Sequence, residues 1–393
     1  MDAVKQIVKS LPPSRARKAL LKATEGEDLS HVDMLALFQA EAETVEALYS
    51  TAHALRLAQA SPFATYVVNR NINFTNICYN RCTFCAYSRP SGSKDAFLWG
   101  PEEIVRRARQ AAELGATEVC IQAGLAPQLD ARFYLDVCRS IRRALPGLHI
   151  HGFSPQEILY AARKSYLSIS EYVGRLKDAG LGSIPGTSAE ILDNRMRMRL
   201  SPGRLTVQQW IEVIESAHRQ GLRTTATMMY GHIEDYSHRA DHLLLLRDLQ
   251  RSTGGFTEFV PLRFVSRPDS PLASNGGQEE TLKTHAIARL ALGKDIPNIQ
   301  VSWVKEGLAV AARCLRAGAN DLGGTLIDEA ISASAGASNG QLRTPRELRA
   351  CIRKAGFTPA QRSTLYETLR IFEDPVADPI DPIDRLSPGA VVD

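Results

Sequence analysis

Residues 1 to 60 set apolar positions such as Val32, Leu35, Leu37, Phe38, Val45 and Leu48 among Ala and Glu, with no strand-like run. This pattern predicts helices, assigned as an N-terminal helical cap over residues 1–64. From about residue 65 the texture changes to short β-branched or apolar runs alternating with amphipathic stretches, the mark of a parallel α/β sheet. Eight candidate strands follow: Ile72 to Ile77, Glu118 to Ala123, His149 to Phe153, Gly182 to Gly186, Thr224 to Tyr230, Glu258 to Phe264, Ile299 to Trp303 and Gly318 to Leu322. Helices between them carry start and stop signals. Pro101 with Glu102 and Glu103 opens one that Gly115 closes, and Thr206 with Gln209 forms a capping box for one that Gly221 closes. Eight such units over residues 65–350 fit an α/β fold of the (β/α)8 TIM-barrel type. An open doubly wound sheet is the competing fold. Residues 351–372 read as a helical extension, and the Pro-rich acidic stretch 373–393 as a disordered or loosely draped tail.

Composition changes little until it is divided. The 393 residues are 44% hydrophobic and 23% charged, ordinary for a soluble globular protein. The formal charge is +4, too slight over this length to predict nucleic acid or a membrane surface as partner. No segment has the apolar length of a membrane span or a secretory signal, so a cytoplasmic protein is expected. The seven cysteines are an odd number, and three of them, Cys78, Cys82 and Cys85, fall within eight residues. Clustering of this kind in a reducing compartment points to metal rather than disulfides. Cys120, Cys138, Cys314 and Cys351 are scattered and read as small core hydrophobes.

The cysteine cluster lies in NFTNICYNRCTFCAYSR, residues 73–89, directly after the first candidate strand and so at the face of a barrel where active sites lie. Three thiolates on one loop can hold three irons of a 4Fe-4S cluster and leave the fourth open to another ligand. The alternative is a zinc knuckle, which needs a fourth ligand, usually close by. The nearest downstream Cys is Cys120 and the nearest upstream His is His53.

The spacing C-x3-C-x-aromatic-C, here Cys78, Cys82, Phe84 and Cys85, resembles the signature of the radical S-adenosylmethionine superfamily. The resemblance implies that S-adenosylmethionine chelates the open iron and is cleaved to a 5'-deoxyadenosyl radical, with Phe84 against the adenine. It also implies cofactor contacts from Gln122, Ala123, Gly124 and Glu190. Ala123 stands where relatives often have the first of two glycines. The segments NRNINFTNIC, HIHGFSPQEI, GLGSIPGTSAEIL, TTATMMYGHIE, GGFTEFVPLRF and GANDLGGTLIDEAIS resemble the branch that makes the deazaflavin chromophore and the futalosine-route menaquinone enzymes. Within it, VPLRF and GFTPAQRSTLY (356–366) are similar to the tyrosine-using half of FO synthase, the family of 5-amino-6-(D-ribitylamino)uracil:L-tyrosine 4-hydroxyphenyl transferases. Membership would imply cleavage of L-tyrosine at Cα–Cβ, addition of the 4-hydroxybenzyl radical to 5-amino-6-(D-ribitylamino)uracil, and release of 2-iminoacetate, 5'-deoxyadenosine and methionine. It would imply a reductant protein for the cluster. A single cysteine motif would further imply a separate first FO synthase subunit acting on the product. A futalosine-route enzyme is the runner-up, and a zinc-stabilised binding protein the alternative of another class.

Other residues carry two readings each. His149 and His151, two apart on one strand, share a side and form either a polar wall for the substrates or a hydrogen-bonded core pair. Tyr230, His232 and Glu234 line the pocket or belong to a solvated loop. Asn320 and Asp321 with Gly323 and Gly324 approach the ribityl chain or adenosine, or make an ordinary tight turn. Glu190 is a cofactor ligand or a first-turn acid of the next helix. Arg195, Arg197 and Arg199 read as an exposed basic segment. Anaerobic reconstitution is expected to load about four irons and four sulfides per chain. A colourless protein carrying one zinc would favour the alternative class.

Overall fold

The computed structural model describes residues 1–80, 82–266, 272 and 275–386. Eight strand positions form a ring. The first is one path broken at Val68 into β1 (Ala64–Val67) and β2 (Asn69–Ile72). The next are β3 (Glu118–Ile121), β4 (His149–Gly152), β5 (Ser183–Ile184), β6 (Arg223–Tyr230) and β7 (Phe256–Arg263), all parallel in the order β2-β3-β4-β5-β6-β7. The seventh position is a pair of bridges, Phe259 to Ile299 and Gln300 to Asp321, which leads to β8 (Asp321–Gly324). β8 pairs in parallel with β1, Thr65 opposite Asp321, and the ring closes as a (β/α)8 barrel. The open doubly wound sheet is thereby set aside.

The first strand runs from Ala64 to Ile72, not from Ile72 to Ile77. Polar Thr65, Asn69 and Asn71 alternate there because the barrel interior is polar at these levels, which hides the strand from a hydrophobic pattern. Helix signals held better. Thr206 and Gln209 form the capping box of the helix Val207–Arg219, and Pro101 opens the helix Pro101–Glu113. The helices Asp2–Ser10, Arg15–Thr24, His31–Phe38 and Ala42–Gln59 occupy the N-terminal region and pack in part on the barrel helices Tyr236–Thr253 and Gln278–Leu292.

Residues 351–372 are not a helical extension. The helix Pro345–Lys354 ends early, and β9 (Pro359–Arg362) and β10 (Thr368–Ile371) continue the sheet beside β1. The reason lies inside the barrel. Arg362 reaches Asp321 with Nε–Oδ2 2.6 Å and Nη2–Oδ1 3.0 Å and comes within 3.5 Å of Glu258, whose carboxylate also accepts the Tyr366 hydroxyl. A helix over these residues would leave those interior carboxylates without a cation. The tail is draped up to its last described residue, Leu386. Asp378 and Asp381 accept from Arg349 at 3.0 and 2.7 Å, and Arg353 holds Asp378 at 2.7 Å. The end of the tail, 387–393, lies outside the described residues.

Removing one partner of a buried ion pair leaves the other charge desolvated, at a cost of roughly 3–5 kcal/mol. Arg362→Met is therefore expected to lower the urea midpoint strongly, by far more than Arg195→Met, whose side chain is exposed. Equal midpoints for the two variants would show that Arg362 does not hold the barrel closed.

Candidate functional site

At the C-terminal end of the barrel strands lies a cavity of about 430 Å³, lined by the cysteine loop and by residues from the ends of most strands. The loop is held by its backbone. Cys78 N–H donates to Arg89 O at 3.0 Å, Tyr79 N–H to Leu125 O at 3.1 Å, and Thr83 N–H to Leu200 O at 2.9 Å. Cys78, Cys82 and Cys85 are free thiols, partly exposed, and all three line the cavity with Phe84. Burial pushes the Cys82 thiol up to about 12, against the pull of the Arg204 guanidinium, whose Nη1 lies 3.7 Å from its sulfur. A thiolate there calls for further positive charge. Among the described residues no group of three His, Cys, Asp or Glu converges to hold one ion. Three thiols on one loop, within electrostatic reach of one another and facing a cavity, fit three irons of a 4Fe-4S cluster.

The predicted cofactor residues come together. Gln122, Ala123, Gly124 and Glu190 all line the cavity. Gln122 accepts from the Thr187 hydroxyl at 2.7 Å. Gly124 N–H donates to Thr75 O at 3.0 Å, and a Cβ on Gly124 would stand 2.3 Å from Ile77 O and 3.1 Å from the Cys78 Cβ. Only glycine permits that approach. Ala123 N–H donates to Glu157 Oε1 at 3.1 Å. Glu190 is 7% exposed and sits at φ 42°, a left-handed conformation that bulky residues rarely adopt. It is not a first-turn acid of the next helix, which begins at Asn194. Its carboxylate instead bridges Arg197 at 3.1 Å and Arg204 at 2.8 Å.

The predicted substrate residues are placed elsewhere, and none of them lines the cavity. His149 and His151 share a side, as alternation requires, but both bond to one hydroxyl, Ser183 Oγ, at 2.7 and 2.6 Å. Burial pushes His151 down to about 4, so it is neutral. Tyr230 is buried with its hydroxyl on Thr281 Oγ1 at 3.0 Å. Glu234 accepts from the backbone of His232 at 2.8 Å and from Arg239 Nε at 2.8 Å, a buried network and not a solvated loop. Asn320 accepts from Arg289 at 2.8 Å and from Ile299 N–H at 2.8 Å, and Asp321 holds Arg362, so both serve barrel closure. Gly323 and Gly324 make room for the amides of Gln300 and Asn69. The basic segment divides. It is a helix, Asn194–Leu200, that exposes Arg195 and Arg199 but buries Arg197. Cys138, Cys314 and Cys351 are buried as expected, whereas Cys120 lines the cavity.

Several lining residues escaped sequence reasoning. Glu157 is the third residue of a capping box begun by Ser154, a visible signal, yet its carboxylate also meets the cavity, where burial pushes it up to about 7. Asn71 and Asn73 alternate in NRNIN and face the cavity, each with an Oδ1 that is buried and unbonded. Arg204, Lys305 and Glu329 sit in loops or at a helix start with no local pattern to mark them.

Residues 72–246 match the Radical SAM superfamily, and residues 253–374 match the CofH/MqnC C-terminal region. The chain is 47% identical over 327 residues to the 5-amino-6-(D-ribitylamino)uracil–L-tyrosine 4-hydroxyphenyl transferase of Methanopyrus kandleri, covering 82% of this chain and 88% of the relative. The enzyme of the same name from Methanothermobacter thermautotrophicus is 45% identical over 363 residues, 91% of this chain and 98% of the relative. The FO synthase of Streptomyces coelicolor is 45% identical over 88% of this chain, which spans 41% of that longer protein. Among solved structures, the FeFe-hydrogenase maturase HydG from Carboxydothermus hydrogenoformans aligns at TM-score 0.71 with 16% identity, covering 93% of this chain and 83% of that one. Methylornithine synthase aligns at TM-score 0.67 with 20% identity, 86% of this chain and 95% of that one.

The Gly124 contact gives a direct test. Gly124→Ala must push the cysteine loop off the end of β3, so reconstituted iron per chain is expected to fall at least several-fold while the circular dichroism spectrum keeps its α/β shape. Full iron loading in that variant would show that the close approach is dispensable.

Proposed function

The chain belongs to the radical S-adenosylmethionine superfamily, in the family of 5-amino-6-(D-ribitylamino)uracil–L-tyrosine 4-hydroxyphenyl transferases, and on that premise we propose how its cavity serves the reaction. The enzyme transfers the 4-hydroxybenzyl unit of L-tyrosine to 5-amino-6-(D-ribitylamino)uracil in the making of FO, the coenzyme F420 chromophore. A 4Fe-4S cluster on Cys78, Cys82 and Cys85, with S-adenosylmethionine, supplies when bound the 5'-deoxyadenosyl radical that starts the cleavage of tyrosine. The convergence of three free thiols, Gln122, Gly124, Glu190 and Arg204 on one cavity carries this reading.

The chain's own residues bind and orient. Phe84 offers an aromatic face to the adenine. The end of β3, with Gln122, Ala123 and Gly124, presents backbone and amide groups beside the cysteine loop. Glu190, fixed by Arg197 and Arg204, keeps a carboxylate toward an amine or ribose hydroxyls, and Arg204 has donors in reach of a carboxylate. The barrel surrounds the site, which limits water and bystander C–H bonds near a reactive carbon radical.

The relatives matched over 88% and 98% of their own length carry the transferase name alone, which supports a separate first-subunit protein for the ring closure. A reductant protein feeds the cluster. Seven free cysteines without a disulfide suit a reducing cytoplasm, and no helix among the described residues is long and apolar enough to cross a membrane.

In an anaerobic assay with S-adenosylmethionine, reductant, L-tyrosine and 5-amino-6-(D-ribitylamino)uracil, the expected products are the 4-hydroxybenzyl adduct, 5'-deoxyadenosine, methionine and 2-iminoacetate, identified by mass. Turnover only with a purine-derived futalosine-route substrate would overturn the assignment. Alanine at Cys78, Cys82 or Cys85 is expected to abolish 5'-deoxyadenosine formation. Cys314→Ala is expected to retain it.

A further inference from the structure

Across the ring from Glu190 the same cavity is lined by two more charged residues. Lys305 begins the helix Trp303–Arg316 after the seventh strand position, and Glu329 follows β8, the eighth. Glu190 follows β5, the fourth position, halfway round the ring. Among the described residues the Lys305 ammonium has no hydrogen bond and no ion pair within 4.0 Å. Its neighbouring charges are Glu329, Glu306 and Arg263. Glu306 is already engaged by Arg263 at 3.1 Å and Thr281 at 3.1 Å, so it leaves Lys305 uncompensated. Glu329 is 6% exposed, and its carboxylate accepts from the Ser332 backbone N–H at 2.9 and 3.1 Å. Burial pushes Lys305 down and Glu329 up, and the attraction between them offsets this only in part.

A lysine and a carboxylate that face one cavity without touching each other match a ligand carrying an anionic and a cationic group on one carbon. An α-amino acid is such a ligand. The uracil substrate is neutral and can hydrogen-bond these groups but brings neither of them a counter-charge. The cavity also presents Leu262, Phe264, Val304 and Leu326, apolar surface that suits an aryl side chain.

We propose that Lys305 and Glu329 clamp the amino-acid substrate, Lys305 binding the α-carboxylate and Glu329 the α-ammonium of L-tyrosine. This rests on the transferase reading and adds to it the residues that select an amino acid. The clamp fixes the backbone end of tyrosine and leaves the bond to the benzyl carbon facing the interior of the cavity.

The test is equilibrium binding to the reconstituted holoenzyme with S-adenosylmethionine and no reductant. Three probes differ in charge: L-tyrosine, tyramine without the carboxylate, and 3-(4-hydroxyphenyl)propionate without the ammonium. Wild type is expected to prefer tyrosine over both. Lys305→Met is expected to weaken tyrosine about thirtyfold or more and leave tyramine unchanged, because loss of one partner of a desolvated charge pair is costly. Glu329→Gln is expected to close the gap between tyrosine and the propionate in the same way, and Lys305→Arg to restore part of the preference. Cluster absorbance and S-adenosylmethionine affinity verify folding. Should Glu329→Gln fail to fold, the tyrosine-to-tyramine ratio in Lys305→Met decides alone. Wild-type discrimination retained in Lys305→Met overturns the clamp and leaves the transferase reading intact. A wild-type holoenzyme that binds no tyrosine overturns both.

Discussion

The site depends on one contact between two stretches of backbone. The end of β3 at Gly124 lies so close to the start of the cysteine loop that no Cβ fits between them. Gly124 N–H to Thr75 O and Tyr79 N–H to Leu125 O lace the two together on either side of Cys78. A loop carrying three thiols would otherwise be free to swing into solvent. Laced to the rim of the barrel, it keeps all of them against the same cavity as Gln122 and Glu190. The placement of the cysteines is thus inherited from the sheet and does not rest on loop packing alone.

Below that rim the barrel interior is polar, and its polar groups sort by whether they are paired. Glu118 accepts from Asn69 at 2.9 Å, Ser183 serves both histidines, and Asp321 and Glu258 are met by Arg362. Those groups answer one another and belong to the fold, since a buried polar group without a partner is costly. At the level of the cavity the pairing is incomplete. Among the described residues Asn71 Oδ1, Asn73 Oδ1 and the Lys305 ammonium have no hydrogen-bond partner, and all belong to lining residues.

This explains what could be read from the chain. The cysteine loop, Phe84, Gln122 and Gly124 were legible because their chemistry is carried by a short motif at the end of a strand. The capping box at Thr206 was legible for the same local reason. Alternation put His149 and His151 on one side correctly, yet depth along the barrel axis has no local signature, and they lie with Ser183 instead of in the cavity. Glu190 was found, but its two arginines were not. Arg197 looked like one of three exposed charges because the period of NRMRMRL is two, whereas its structure is a helix. The span 351–372 misled most: an interior cation can be recognised only when the carboxylates it meets, some 40 to 100 residues earlier, are known to be inside.

That late arrival bears on the order of folding. The ring of strands begins at Ala64 and ends at Gly324, yet Asp321 and Glu258 receive their guanidinium from Arg362. A chain emerging from the ribosome presents every barrel strand before the charge that neutralises the barrel's interior. Closure of β8 onto β1 is also a contact across more than 250 residues, the kind of pairing that folds slowly. The barrel can collapse early around its hydrophobic layers, but its polar centre settles only when β9 docks beside β1. The last strands added to the sheet therefore complete the charge balance of the barrel interior only after every strand of the ring has been made.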